Sequence, residues 1–186
     1  MKAACLGLFA VMMGSSLPVA AEPGVGEWAS NWDIGARQGI VASNRELRRD
    51  GDITSLQFGR RVGEGFEVEL ELAQDRLDFG IDYGLRHRSA QINLLLVNRE
   101  PLWNPYFLIG VGAIEFESPV GERRGTDPLV AFGIGGTWEL VIPQRVLLRA
   151  DLRIRYDLND TQQPGEDSRG DGVFSIGFVV PFGAAD

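Results

Sequence analysis

Cysteine, histidine and lysine are almost missing from this sequence: Cys5, His87 and Lys2 are each the sole residue of their type. A lone thiol forms no intrachain disulfide and holds no thiolate metal site. The acidic segment "NDTQQPGEDSRGD" (159–171) lacks the ligand spacing of a calcium loop. Neither a metal nor a cofactor is therefore expected. Long apolar runs are missing too. No stretch approaches the roughly 20 uninterrupted apolar residues of a membrane-spanning helix, and helical periodicity of any length is not found. Positive charge is short, with 18 Lys and Arg against 26 Asp and Glu. Such a chain has no basic stripe to displace counterions from phosphates, so nucleic acid is not an expected partner.

What is present begins with "MKAACLGLFAVMMGSSLPVAAEPG". Lys2, an apolar run through Met13 and the small residues Val19-Ala20-Ala21 follow the layout of a secretory signal, with cleavage expected after Ala21. Cys5 precedes the apolar run, whereas a lipoprotein attachment cysteine would follow it. The expected division is a signal peptide at 1–21 and one domain at 22–186, without solenoid repeats. Cleavage would remove Lys2 and leave 17 Arg against 26 acidic residues, 17 − 26 = −9.

Period-two alternation runs through the rest. "VLLRADLRIRYDL" (146–158) sets Leu148, Leu152 and Ile154 against Arg149, Asp151, Arg153 and Arg155. Phe66, Val68 and Leu70 alternate with Glu67, Glu69 and Glu71; Trp138 alternates with Glu139; Phe174, Phe178, Val180 and Phe182 lie on one side of the last segment. The pattern predicts eight strands at about 31–41, 53–62, 65–75, 88–97, 105–116, 129–142, 145–158 and 172–182. In "PYFLIGVGAIEF" both sides are apolar, which leaves the phase of that strand open. The connections "GEG", "NREPLWN" and "PQ" are short, and those at 43–52, 75–87, 118–128 and 159–171 are longer and polar. Short and long alternate strictly, as in barrels with short turns at one end and longer loops at the other.

Two arrangements satisfy period two. A soluble lipocalin-like barrel would bury the apolar series and wet the charges. A membrane barrel would do the reverse. An eight-stranded interior is just wide enough for side chains to fill, and Phe66, Leu70, Phe132, Trp138, Phe174, Phe178 and Phe182 together would overpack it. The charged series fits better, because guanidinium forks match carboxylates. An interior salt-bridge network of Arg37, Glu67, Glu69, Glu71, Glu139, Arg149, Asp151, Arg153 and Arg155 is therefore expected. Phe66, Val68, Leu70, Trp138, Leu148, Leu152, Ile154, Phe174 and Phe178 should then face lipid. Trp28, Trp32, Trp103, Tyr106, Trp138, Tyr156 and Phe182, near strand ends, would form interfacial girdles.

Three segments, "NPYFLIGVGAIEF" (104–116), "LLRADLRIRYDLND" (147–160) and "GVFSIGFVVPFG" (172–183), resemble the Pro-Tyr, charged penultimate and closing strands of the OmpA/OmpX-type small outer-membrane barrels. The resemblance implies an eight-stranded antiparallel up-and-down transmembrane β-barrel in a Gram-negative outer membrane, with both termini in the periplasm. Phe178, Val180 and Phe182 look like the aromatic-ended signal read by the outer-membrane assembly machinery. Larger members append a peptidoglycan-binding domain; a barrel alone is expected here, since the sequence ends at Asp186. A structural or surface-interaction role, with lipids as neighbours and an extracellular partner at four loops, is the leading expectation. A small ion-conducting pore and a lipid A-modifying enzyme are the alternatives. "HRS" (87–89) has the His-x-Ser spacing of the PagL-type lipid A deacylases, but Ala90 follows it and Ser89 is phased toward the lumen. No enzyme is expected, and His87 reads as a loop-end residue in solvent. Replacing Arg153 and Arg155 by Ala is expected to raise single-channel conductance.

Overall fold

Uninterrupted alternation of side-chain character gives each segment two chemically distinct faces, and the chain resolves them by closing one sheet on itself. The computed structural model describes residues 31–43, 49–78, 84–99, 103–117, 123–140, 146–158 and 169–183. They form β1 (Trp32–Ser43), β2 (Arg49–Gly63), β3 (Phe66–Asp78), β4 (Gly84–Val97), β5 (Trp103–Glu117), β6 (Arg123–Glu139), β7 (Leu147–Asp157) and β8 (Arg169–Phe182). Each strand pairs antiparallel with the next, and β8 pairs with β1, so the barrel is closed. None of the described residues forms a helix able to cross a membrane. The expected signal peptide, cleavage site and Trp28 lie outside the described residues.

The register fixes the barrel's shape. Stepping from Leu148 through successive partners leads to Phe178, Ala36, Leu56, Leu72, Ala90, Ala113 and Pro128. The path returns to β7 at Leu158, whose amide donates to the Pro128 carbonyl, ten residues from the start (158 − 148). Ten residues at about 3.3 Å, set against eight strands at about 4.8 Å, give a tilt of about 41° and a backbone radius of about 8 Å. At that radius two long side chains from opposite walls meet at the axis.

Strands run further than the apolar pattern indicates at one end. β1 and β2 stay paired out to Ser43 and Arg49, and β3 and β4 out to Asp78 and Gly84. Backbone pairing continues after the outward residues turn polar, because the ladder needs no apolar surface. Connections at that end are 44–48, 79–83, 118–122 and 158–168; those at the other are 64–65, 98–102 and 140–146. The contrast in length is thus weaker than the sequence suggested, and 158–168 is the long one. Between β6 and β7 the turn is wider than "PQ": β6 ends at Glu139, and Leu140 donates its amide to Val146. Between β2 and β3, Glu64-Gly65 makes a two-residue turn with Gly65 at φ 73°, a left-handed conformation that glycine adopts without strain.

β5 resolves its ambiguous phase by size. Phe107, Ile109 and Val111 point out, while Tyr106, Leu108 and Ile114 are buried within. Tyr106 stands opposite Gly135 and Leu108 opposite Gly133, so these two large inward side chains face residues that have none. Tyr106 therefore belongs to the interior and not to an interfacial girdle. The lumen consequently has small apolar patches: Leu95, Tyr106, Leu108 and Ala131 form one, and Val41, Ile53, Ala73 and Val173 another.

Candidate functional site: a charged lumen

β3 and β7 stand opposite each other, with three strands between them on either side. Half a circuit carries half of the ten-residue stagger, so the β7 residue level with Leu72 is about five beyond its path partner Leu148, near Arg153. This offset brings the acidic face of β3 to the basic face of β7 in order. Arg149 Nη1 lies 2.5 Å from Glu69 Oε2, Arg153 Nη1 bonds Glu71 Oε2, and Arg155 Nη2 lies 2.9 Å from Asp75 Oδ2. Arg37 of β1 enters from the side, 2.8 Å from Glu71 and 2.6 Å from Asp151. Arg153 Nε donates to Asp151 at 2.8 Å. Asn93 donates to Glu69 at 2.9 Å and Glu71 at 3.0 Å, and Gln91 donates to Glu71 at 2.8 Å. Arg149 Nε donates to the Tyr106 hydroxyl at 2.7 Å, its guanidinium 4.8 Å from the ring centroid.

Three arginines (37, 149, 153) and three carboxylates (69, 71, 151) thus form a layer across the lumen with no formal net charge, all six buried. Closure of this kind is what makes charge tolerable at depth, since an unmatched buried ion costs several kcal/mol. Two residues expected in the network lie toward its short-turn edge. Glu139 is exposed at the end of β6, opposite Leu147 and past the Thr137–Arg149 step. Glu67 lines, with Asp33, Arg61, Arg99 and Arg149, a cavity of about 60 Å³ at the short-turn end.

Asp75 takes the place of a third glutamate. The inward series Glu67, Glu69, Glu71, Ala73, Asp75 contains it, at the residue where the expected strand 65–75 passes into the polar segment 75–87. His87 is likewise not in solvent: it is 1 % exposed, with Nδ1 3.2 Å from Asp75 Oδ2. β4 begins at Gly84, so His87 lies inside a paired strand, directly opposite Asp75. Ser89 shares its inward face, as phased.

Outside, chemistry is inverted. Phe66, Val68, Leu70, Leu152, Ile154, Phe174 and Phe178 are exposed, as is Phe107 at 65 %, and Trp138 and Leu148 are partly exposed on the same surface. Along β7 this surface runs from Leu148 to Leu158, which at the barrel's tilt is about 25 Å of height. Aromatics gather at its short-turn edge. Trp103 stacks on Trp138, centroids 6.0 Å apart, over Gly136; Trp32, Phe58 and Phe182 form a second group, with Arg60 4.7 Å from the Trp32 ring centroid.

A closed eight-stranded antiparallel barrel, charged within and apolar without, is the architecture of the small outer-membrane barrels of OmpA/OmpX type. The chain is similar to Neisserial surface protein A (NspA), with a TM-score of 0.71 at 17% identity over 84% of this chain and 100% of that one. It is also similar to the outer membrane protein OprG of Pseudomonas aeruginosa (TM-score 0.53, 14% identity, 84% and 98% covered) and the outer membrane enzyme PagL (TM-score 0.53, 14% identity, 81% and 99% covered). No family model and no curated protein matches the sequence.

Proposed function

We propose that this chain is an outer-membrane barrel with a structural or surface-interaction role, exported by cleavage near Ala21 and displaying its 44–48, 79–83, 118–122 and 158–168 connections at the cell surface, where an extracellular partner binds. One observation carries the reading: charged side chains fill the interior while large apolar ones cover the outside. A soluble barrel buries the opposite face, because the exposed surface here far exceeds the few hundred Å² of apolar patch that water tolerates. Phe178, Val180 and Phe182 lie on the outer side of β8, the position from which an assembly machinery would read them. An enzymatic role is not part of the proposal, since His87 and Ser89 point into the lumen and the Asp75 beside His87 is held by Arg155. The chain is expected in the outer-membrane fraction and to migrate differently on a denaturing gel before and after boiling; a soluble, heat-insensitive protein would overturn the reading.

The ion-pair layer supports a lumen that carries no steady current. Wild type in planar bilayers is expected to show no stable opening, and the Arg153→Ala/Arg155→Ala variant to conduct measurably by removing two guanidinium groups from the axis. Equal conductance of the two folded proteins would show that other side chains close the lumen.

A further inference from the structure

The cavity at the short-turn end is lined by charges sorted by depth. Arg99 belongs to the 98–102 connection and Arg61 is two residues from the end of β2, so these two guanidinium groups stand at the mouth. They are near enough to feel one another's charge. Asp33 partners Gly59, two residues further in than Arg61, and its carboxylate lies over that glycine, where a Cβ would fall 2.3 Å from Oδ2. Glu67 is Arg61's partner across the ladder, and the barrel's stagger raises it toward the depth of Asp33, which it adjoins. Arg149, from the ion-pair layer, forms the floor.

Two atoms of this lining are left over. Asp33 Oδ1, an acceptor, and Arg149 Nη2, a donor, are both buried, and neither has a hydrogen-bond partner. Buried polar groups are satisfied as a rule, so an occupant that donates at one end and accepts at the other completes both. Arg61 and Arg99 balance Asp33 and Glu67 in formal charge, and Glu69 already answers Arg149. The occupant therefore carries no net charge. A volume of about 60 Å³ is roughly four to six times the 10–15 Å³ that one water needs, which leaves room for about five heavy atoms.

We propose that this cavity binds the smallest α-amino acid zwitterions, of glycine or alanine size, with the ammonium group on Asp33 and Glu67 and the carboxylate on the guanidinium groups around them. The full chain in detergent micelles, its fold checked by heat modifiability, is dialysed to equilibrium against radiolabelled glycine. Saturable binding is expected. Acetate and methylammonium, which each carry one half of the ligand's charge, should compete about tenfold less well than alanine, and leucine should be excluded by its size. Asp33→Asn and Arg61→Gln/Arg99→Gln should each weaken binding about tenfold, the loss of one charge-assisted hydrogen bond, while Arg88→Gln on the outer wall binds as wild type does. Acetate or leucine competing as well as alanine overturns the proposal, by showing a plain anion site or an unselective opening. So does a folded wild type that binds no glycine, or a folded Asp33→Asn protein that binds it unchanged. The site lies inside the barrel, so these results stand apart from the fractionation and gel that test the outer-membrane reading.

Discussion

Arg37→Leu should lower the unfolding free energy of the vesicle-embedded barrel by about 3–5 kcal/mol, the cost of removing one partner from a buried ion pair. Arg37 is 2 % exposed and neutralises Glu71 and Asp151 together. Without it, Arg149 and Arg153 face Glu69, Glu71 and Asp151, leaving one buried negative charge uncompensated. Urea titrations followed by tryptophan fluorescence would show the loss as a lower midpoint at unchanged slope. Arg37→Met/Glu71→Gln removes one charge of each sign and should recover much of the loss, since an apolar replacement of a whole pair is often neutral. A single variant that loses less than about 1 kcal/mol would mean that the layer behaves like a solvated surface pair.

Gly177→Val should prevent barrel closure, with a cost of about 3 kcal/mol or more from overpacking. Gly177 faces Arg37 across the β1–β8 seam, the pairing that joins the two ends of the sheet. A Cβ there would fall on the Ala36 carbonyl oxygen and 2.6 Å from the Arg37 Cα. These are backbone atoms and cannot swing aside, so the strands must part. The heat-modifiable band should disappear. Gly172→Ala is the matching control on the same strand, because its nearest neighbour would be the Ala42 carbonyl oxygen at an ordinary 3.7 Å; it should fold normally. A Gly177→Val protein that still shifts on heating would show that the seam yields more readily than its geometry implies.

Alternation made most of this architecture legible. Eight strands and the grouping of Phe66, Leu70, Leu152 and Phe178 on one series of faces follow from period two, because a one-residue slip would exchange the faces of a whole strand; that this series turns outward follows from the size of its side chains against an eight-stranded interior. Alternation is silent where both faces are apolar, as in β5. There the choice was made by the glycines of the neighbouring strand, a cross-strand property that no single segment contains. It is also silent on height. Asp75 and His87 lie beyond the apolar residues of β3 and β4 and read as loop, yet the ladder continues through them. Glu139 shows the converse: its parity on β6 is inward, but it sits exposed at the strand's end, past the Thr137–Arg149 step.

The outer surface's height of about 25 Å has a consequence for where the chain settles. A typical bilayer has a hydrocarbon core of about 30 Å, and mismatch costs a fraction of a kcal/mol per Å. A rigid barrel cannot lengthen, so the lipids around it must compress. Bilayer thickness thereby acts as a sorting coordinate: the chain inserts with less elastic work into short-chain lipids, and a thin membrane draws it away from a thick one.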